Sequence, residues 1–514
     1  MQKILLLSCL LISTTIYAQV PEDALRYSFY PQNGTARNLS IGGAMGSLGG
    51  DINATYVNPA GLGFYKTSEF VLTPGFFFNN NRINFRGTNA QHTNSGFGFG
   101  TSGWVMGFGD RYKPTVSNAV SIAITQTANF NNSIQYSGLN NYSSFSEQFA
   151  EEFAKSGYTI DEVLNSNSPL PYTSAPALYT FLIDTVKVNG LYQVKGAPEY
   201  ILDAGQALKQ EMNKITKGGI TEFAIGFAHN NNDKWYWGAS IGIPFISYSS
   251  NTNFKESDTS SNTSNHFKQF EYTDNFKTTG IGINGKIGVI YRPQEYIRVG
   301  LAIQTPTFMN LVDKRTTTLS TELENPVAAF STSSNTFTND QPGESKYTQT
   351  TPFKVVGSAS YVFREVSNIK KQRAFITADV EYVHHKGSKF GSNNDDPTDQ
   401  EKTYYNALNK VVSADYKGNF NFRLGGELKF NTIMGRLGFA YYGNPYKGSA
   451  YKANRMLLSG GLGYRDKGIF VDLTYVYAIT KDISFPYRLE DRANTFATLK
   501  QMKGNVVATV GVKF

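Results

Sequence analysis

The sequence has almost no cysteine. Of its 514 residues one is a cysteine, Cys9, and it lies within the apolar run of residues 4–11. A single lysine before this run and small residues after it predict a signal peptide over residues 1–18, cleaved before Gln19. The mature chain would then have no thiol, which excludes disulfides and cysteine metal sites.

Long apolar runs and charged residues are also scarce. Beyond the predicted signal peptide, no stretch reaches the roughly 18 apolar residues that a spanning helix needs, which excludes a helical membrane bundle. Only 17% of the residues are charged, whereas 14% are aromatic and 48 are glycine, and this composition favours β-strands. The net charge of +8 comes from dispersed basic residues. Because they form no continuous patch that could follow a phosphate backbone, we predict no nucleic-acid partner.

Motifs for catalysis are missing as well. The sequence has no Gly-x-Ser-x-Gly elbow, zinc motif or phosphate loop. Residues 393–396 are polar and acidic, but they lack the spaced ligands of a calcium loop and are typical of a solvated loop tip. We therefore predict no enzyme, no catalytic residue, no metal site and no cofactor.

The chain does show a strong alternation of apolar and polar residues. Residues 505–514 place valines and Phe514 on one face and polar side chains on the other, and residues 374–382 and 419–430 repeat this pattern. An outer face against lipid and an inner face against a wet lumen explain it. Counting such segments over residues 67–514 predicts an all-β fold, a transmembrane antiparallel β-barrel of about 14 strands.

The connections between these segments are alternately short and long. The short ones lie near Asp110, Asn231, Pro293, Asn431 and Asp466. In outer-membrane barrels short turns are periplasmic and long loops are extracellular, so both termini are expected in the periplasm. A soluble β-sandwich or solenoid is the alternative, but neither predicts this asymmetry together with a signal peptide.

Two segments lack the alternation. Residues 19–66 are rich in glycine, and we expect them to form an N-terminal hatch inside the barrel. Residues 139–219 are too long for an ordinary loop and predict a long extracellular helical insertion. Within it, a helical period of apolar residues covers residues 201–215.

A second helical pattern in this insertion consists of aromatic residues. Phe145, Phe149 and Phe153 follow a capping box formed by Ser144 and Glu147. Their spacing places the three rings on one helix face. This face either packs the core of a small loop domain or forms a groove for an apolar ligand.

Two short motifs in the segment 19–66 point to a known family. They are Gly-Gly-Ala at residues 42–44 and Asn-Pro-Ala-Gly at residues 58–61. In these motifs, placed before an apparent barrel, the chain resembles the FadL/TodX family of long-chain fatty-acid and hydrocarbon transporters. The resemblance covers the hatch and only the architecture of the barrel. It implies that hatch or gating roles fall to Gly42, Gly43, Ala44, Asn58, Pro59, Ala60 and Gly61.

The family resemblance also implies a transport route. Ligand would be captured in a groove of the outer loops, pass through a lumenal pocket and leave sideways through the wall when the hatch shifts. The alternative for Asn58 and Pro59 is that they merely turn the chain into the first strand. The residues that select a ligand have no recognisable match in this chain, so the resemblance does not identify the substrate.

Charged residues occur on the faces that alternate with the apolar ones. We expect them to form a cross-strand network that props the lumen open and holds the hatch. Binding of a carboxylate by Arg298 or Arg423 is the alternative. The residues expected in this lumenal set are Glu222, Lys286, Arg298, Asp379, Glu381, Arg423, Glu427, Lys429 and Asp472.

Some proteins similar to this family are named hemin receptors, and hemin binding would need an axial ligand such as histidine. His384 and His385 are adjacent in a predicted strand, so their side chains should point to opposite faces. They are therefore expected to be interface or loop residues and not an axial-ligand pair.

The leading hypothesis is passive uptake of a hydrophobic small molecule, fatty-acid-like or aromatic, by a monomeric barrel in the outer membrane. Its expected partners are this ligand, outer-membrane lipid and lipopolysaccharide, and the barrel-assembly machinery through the strand ending at Phe514. The alternative is a FadL-like interaction scaffold, similar to the shuttle proteins of type IX secretion. An ungated porin leaves the hatch without a role, and a TonB-dependent receptor has a larger plug and 22 strands.

Overall fold

A computed structural model describes residues 22–188, 190–324, 327–363, 373–448 and 453–514. The predicted signal peptide and Gln19 lie outside the described residues. Among the described residues, no helix combines the length and the apolar character needed to cross a membrane.

The fold is a closed antiparallel β-barrel. The first strand pairs with the last: Glu69 lies opposite Lys513 and Phe70 opposite Val512. The strands are β1 (Glu69–Leu72), β2 (Pro74–Phe85), β3 (Thr88–Phe99), β4 (Ser102–Gly109), β5 (Ser117–Asn129), β6 (Asn132–Asn140), β7 (Ile183–Val188), β8 (Leu191–Gly196), β9 (Leu208–Asn231), β10 (Trp235–Asp258), β11 (Gln269–Gln294), β12 (Ile297–Gln304), β13 (Phe308–Glu324), β14 (Val327–Ser333), β15 (Gly343–Thr350), β16 (Lys354–Phe363), β17 (Ala374–His384), β18 (Lys389–Ser392), β19 (Gly418–Phe430), β20 (Ile433–Tyr442), β21 (Arg455–Asp466), β22 (Ile469–Ser484) and β23 (Ala497–Lys513).

Several of these strands are pieces of one interrupted span. β1 continues into β2, β3 into β4, β5 into β6, β12 into β13, β15 into β16 and β17 into β18. Counted this way, the described residues form 14 spans, which confirms the predicted strand number. β7 and β8 form a separate hairpin, and β14 extends a loop.

The outer face of the barrel is apolar and the inner face is polar. In β10, Ile241 is 59% exposed whereas its neighbour Ser240 is 4% exposed. In β19, Leu424 is exposed and Arg423 is buried. A soluble protein would bury the apolar member of each pair. The inverted pattern identifies a surface that contacts lipid, so the barrel spans a membrane.

The two ends of the barrel differ. At one end, here the turn end, tight turns use residues with positive φ, such as Asn232, Asp233, Asn431 and Lys467. Asn and Gly tolerate this left-handed conformation, which explains why turns were predictable at these positions. The connections at the opposite end, here the loop end, are mostly longer and carry most of the helices.

The hatch fills the lumen with short helices. They are α1 (Asp23–Arg26), α2 (Ala36–Ser40), α3 (Ala54–Val57) and a 3₁₀ helix at Pro59–Phe64. Thr35 begins α2 by accepting a hydrogen bond from the Asn38 amide. The hatch enters the first strand at the turn end, because Ser68 pairs through backbone hydrogen bonds with Phe514.

The described start of the chain lies at the other end of the barrel. The Glu22 carboxylate accepts a hydrogen bond from Arg488, which follows β22 at the loop end, at 2.8 Å. The hatch therefore crosses the lumen from the loop end to the turn end. Phe514 lies at the turn end and Glu22 at the loop end. The expectation that both termini are periplasmic stays a prediction, because Gln19 lies outside the described residues.

The long insertion forms a small domain at the loop end. It contains α4 (Ser146–Ser156), α5 (Ile160–Val163), α6 (Ser174–Tyr179), the β7–β8 hairpin and α7 (Glu199–Asp203). The boundaries predicted for it were too wide, because residue 139 belongs to β6 and residues 208–219 to β9.

The second predicted helix in the insertion was wrong. Only α7 is helical there, whereas Leu208 and Met212 lie in β9 and are buried on its inner face. Their spacing of four residues fits a strand as well as a helix, since it is a multiple of two. Another loop carries the remaining helix, α8 (Asp399–Asp415).

Candidate functional site: hatch, lumenal cavity and a gap in the wall

A carboxylate of the barrel wall anchors the centre of the hatch. Asp379 of β17 accepts hydrogen bonds from the backbone amides of Met45, at 3.0 Å, and Gly46, at 3.1 Å. Ser358 of β16 donates to the same carboxylate at 2.6 Å. Because a hydrogen bond to a buried charge is stronger than a neutral one, this contact fixes the hatch turn firmly.

A second contact comes from Arg298 of β12. Its guanidinium donates to the carbonyl oxygen of Leu48 at 2.6 Å and lies over the ring of Phe64, 4.7 Å from the centroid. Sequence reasoning expected Arg298 and Asp379 in a cross-strand network that also holds the hatch. In the structure both side chains contact the hatch backbone.

The Asn-Pro-Ala-Gly motif combines the two roles considered for it. Asn58 accepts from the Ala60 amide at 3.1 Å, and Pro59 occupies the first position of the 3₁₀ helix. Asn58 also donates to the Gly46 carbonyl at 2.6 Å, which ties the motif to the Gly-Gly-Ala turn region. Ala60 is fully buried, and a Cβ on Gly61 would lie 3.0 Å from the Cβ of Ala54.

The Gly-Gly-Ala turn presses against the inside of the wall. Gly42 has a φ of +67°, and a Cβ there would lie 2.6 Å from the carbonyl oxygen of Phe439. On the wall side, a Cβ on Gly438 would lie 2.0 Å from the Gly42 nitrogen. Glycine is thus required on both surfaces of this contact. Gly43 also has a positive φ, and Ala44 is fully buried.

The other predicted lumenal charges form separate ion pairs. Lys286 contacts Glu222 at 2.6 Å, and Arg423 contacts Glu381 at 2.9 Å. Lys429 lies near the turn end at intermediate exposure.

Glu427 and Asp472 are joined by a residue that the sequence did not single out. Arg436 of β20 contacts Glu427 at 2.6 Å and Asp472 at 2.5 Å. Alternation along β20 could have shown that Arg436 faces inward, since Leu437 and Ile433 are apolar and face outward.

On the loop-end side of the Lys286–Glu222 and Arg423–Glu381 pairs, the lumen contains a large cavity of about 510 Å³. Aromatic and aliphatic side chains cover much of its wall, and three cations from the barrel border it. A smaller chamber of about 90 Å³ shares Tyr30 and Gln32 with this cavity and is lined by the Glu222 and Glu381 ion pairs. The residues that make the large cavity amphipathic include Phe29, Tyr30, Phe77, Phe130, Tyr446, Val476, Val507, Lys214, Arg455 and Lys503.

The cavity reaches a gap in the barrel wall. β4 pairs with β5 in continuous register, from Ser102 opposite Ile124 to Gly109 opposite Ser117. Beyond the break at residues 100–101, β3 pairs with β2, and the described strands provide no partner on its other edge. Gly98 and Gln126 line the cavity on the two sides of this gap.

A hatch side chain closes the narrow corner of the gap. The side-chain amide of Asn33 donates to the carbonyl oxygens of Phe99, at 2.9 Å, and Gln126, at 2.8 Å. It thus replaces ladder hydrogen bonds that the two strand edges lack. Sequence reasoning missed Asn33, although Pro31 and Gly34 around it signal a turn.

The aromatic stripe of α4 is buried. Phe145, Phe149 and Phe153 are 4%, 1% and 6% exposed. They belong to a packed cluster that also contains Phe254 of β10 and Tyr487, which follows β22. This placement favours the packing role over an open ligand groove.

Three carboxylates lie beneath this cluster, beyond the apolar band of the barrel: Glu256 and Glu147 are buried and Glu199 is half-buried. Burial raises the pKa of Glu256 and of Glu199 to about 7 in each case, and it also raises the pKa of Glu147. Glu256 accepts from the side chain of Gln210 at 2.7 Å and from the Phe145 amide at 3.2 Å. The base of the loop domain therefore favours protonated carboxyl groups.

His384 and His385 lie on opposite faces, as expected. His384 stacks on Phe353, whereas His385 is buried and packs edge-on against Phe29 of the hatch. The two rings do not converge on one ligand. Among the described residues, no cluster of three or more His, Asp or Glu side chains is arranged to hold a metal ion.

Known proteins resemble this barrel in structure but not in sequence. No sequence-family model matches the chain, and no curated protein matches its sequence. Solved structures do match. The P. putida toluene transporter TodX has a TM-score of 0.51 at 13% identity, with 94% of this chain and 99% of that chain covered. A Pseudomonas aeruginosa FadL homologue has a TM-score of 0.52 at 12% identity, with the same coverage.

The chain has the FadL/TodX barrel fold. This result confirms the fold expected from the hatch motifs and from the strand alternation. The sequence identity is so low that the likeness rests on backbone architecture. What the site does must therefore be argued from its own residues.

Proposed function

We propose that this protein is an outer-membrane channel for passive uptake of small hydrophobic compounds. The observation that carries the proposal is the amphipathic cavity of about 510 Å³ that opens onto the unpaired edge of β3. An interior cavity connected to a lipid-facing gap offers an apolar molecule a path that avoids water. The similar protein TodX is named a toluene transporter, which agrees with this class of ligand.

The geometry favours lateral release over passage to the turn end. Below the cavity, the route toward the turn end crosses the Lys286–Glu222 and Arg423–Glu381 pairs and then the anchored hatch. Apolar surface gains about 25 cal/mol per Å² on leaving water, and a molecule would lose this gain among hydrated charges. The gap leads directly to the hydrocarbon of the membrane.

Asn33 provides the gate in this proposal. When the hatch shifts, its amide leaves the Phe99 and Gln126 carbonyls, and the strand edges separate at the corner next to the cavity. The anchored hatch then sets how often this occurs, since Asp379 and Arg298 hold the following turn. The hatch motifs at residues 42–44 and 58–61 act by docking this unit against the wall.

Orientation and capture complete the proposal. The turn end faces the periplasm, the loop end faces outward, and the protein acts as a monomer whose last strand, ending at Phe514, is recognised by the assembly machinery. Capture by the buried stripe at Phe145, Phe149 and Phe153 requires the loop domain to loosen. No catalytic step is involved.

The proposal can be tested by filling the cavity. The neutral dye N-phenyl-1-naphthylamine becomes fluorescent in apolar surroundings and serves as the probe for the detergent-purified full chain. Val507→Trp places a large side chain in the cavity, whereas Val510→Trp places it on the lipid face of the same strand. We expect Val507→Trp to lose saturable dye binding and Val510→Trp to retain it. Equal binding by both variants would contradict the proposal.

An interaction scaffold is the second candidate function. It is favoured by exposed aromatic residues on the loop domain: Tyr179 is 46% exposed, and Phe181 is 50% exposed with a φ of +55° and a ring 4.9 Å from that of Phe330. A bulky residue in the left-handed region is uncommon and indicates a constrained surface. Replacing Tyr179 and Phe181 by serine should abolish co-purification of a secreted partner while dye binding persists.

A further inference from the structure

A row of three cations crosses the outer wall of the barrel near the loop end. In the strand register, Arg82 of β2 lies opposite Lys500 of β23, and Lys500 lies opposite Lys481 of β22. All three residues are exposed. Side chains that lie directly opposite each other in neighbouring strands have Cβ atoms about 4.5–5.5 Å apart, so the three charges form one compact group.

The three cations lie at the loop-end border of the apolar band on the outer face. Arg82 follows the exposed Phe78 by four residues on the same face, and Lys481 follows Tyr477 by four. Phe78 and Tyr477 belong to the outward apolar face, so the cations lie where hydrocarbon gives way to headgroups. A surface depression of about 700 Å³ is bordered by all three cations.

Within the described residues, none of the three cations forms an ion pair, although Asp482 borders the same depression and also lines the lumenal cavity. Like charges opposite each other destabilise a sheet, so three adjacent cations without an ion-pair partner are a cost that an external anion removes. By contrast, Lys314, another exposed lysine of a loop-end strand, pairs with Glu344 at 3.1 Å.

We propose that Arg82, Lys481 and Lys500 form a binding site for the phosphorylated headgroup of a lipid in the leaflet at the loop end. At the boundary between hydrocarbon and headgroups, membrane lipids hold phosphate groups permanently. Guanidinium and ammonium groups both bind phosphate, and the depression accommodates the sugar or glycerol part of the headgroup. The site lies on the outer face and is independent of the transport proposal.

The test uses native mass spectrometry of the full chain in detergent. The probes are bis-phosphorylated lipid A and the same lipid A with both phosphates removed. We expect the protein to bind the phosphorylated form about tenfold more tightly, since each exposed charge pair contributes modestly. The triple variant Arg82→Gln, Lys481→Gln, Lys500→Gln should lose this preference, whereas Lys314→Gln should keep it.

A single replacement guards against misfolding of the triple variant. Lys500→Gln removes the central charge alone and should reduce the preference about threefold. Resistance of the barrel to denaturation by heat in gel electrophoresis verifies the fold of each variant. Equal binding of both lipids by the natural protein overturns the proposal, and so does an unchanged preference in a folded triple variant.

Discussion

The anchoring of the hatch by Asp379 allows a quantitative prediction. Asp379 is 1% exposed, and its carboxylate accepts from the amides of Met45 and Gly46. Asp379→Ala leaves both amides without their acceptor. An unsatisfied buried donor costs about 1–3 kcal/mol, so the docked hatch should be destabilised by at least ~2 kcal/mol. That corresponds to a roughly 30-fold larger population of the undocked hatch.

Hydrogen exchange measures this population directly. In Asp379→Ala, the amides of Met45 and Gly46 should exchange about 30-fold faster or more, because exchange occurs through the undocked state. Asp379→Asn keeps one acceptor oxygen and should give an intermediate rate. The matched control is Asp472→Asn, since Asp472 is equally buried but contacts Arg436 and not the hatch. Unchanged exchange in Asp379→Ala, or equal acceleration in the control, would refute the reasoning.

Three further predictions concern the hatch contact and the loop domain. Gly438→Ala should displace the hatch and raise conductance in a planar bilayer, whereas Gly435→Ala, with open space around its Cβ, should not; equal conductance would contradict the contact. The loop domain should resist proteolysis better at pH 5 than at pH 8. The pKa values of Glu256 and Glu199 are raised in the folded state, so the stability that their protonated forms contribute is fully present below about pH 4.5 and is lost as the pH rises through 7. Resistance that does not change with pH would contradict this. Phe149→Ala should cost about 3–5 kcal/mol and expose the loop domain to protease while the barrel stays intact, and an unaltered digestion pattern would contradict the packing role.

The barrel was predictable because its signal repeats along the whole chain. Alternation in segments such as residues 419–430 reports which face meets lipid, and short turns recur wherever Asn, Asp and Gly adopt positive φ. The prediction of secondary structure failed where a spacing of apolar residues fits both the helix period and the strand period. The apolar residues Leu208 and Met212 fit both a helix and a strand, and pairing with β10 decided for the strand.

The candidate site was only partly predictable. The sequence singled out Asn58, Gly42 and Asp379 through hatch motifs and alternation, but it gave no indication that Asp379 binds backbone amides instead of a cation. The gap in the wall depends on a missing pairing between β3 and its neighbour, and Asn33 acts only in that setting. Contacts between residues far apart in the chain follow from the closed topology and not from local pattern.

The most direct test of lateral release closes the gap reversibly. Because the only cysteine of the sequence is Cys9, in the predicted signal peptide, Gly98→Cys with Gln126→Cys introduces a unique pair across the gap. A Cβ on Gly98 would lie 2.9 Å from the Gln126 side-chain oxygen, so a short thiol-cleavable crosslinker can join them. The control pair, Phe108→Cys with Asn118→Cys, joins β4 and β5 where they are already paired.

The readout is entry of N-phenyl-1-naphthylamine into cells that express each variant. The account predicts that crosslinking residues 98 and 126 stops channel-dependent entry, that a reductant restores it, and that the control pair transports equally in both states. Undiminished entry through the crosslinked gap would contradict lateral release as the function of this barrel.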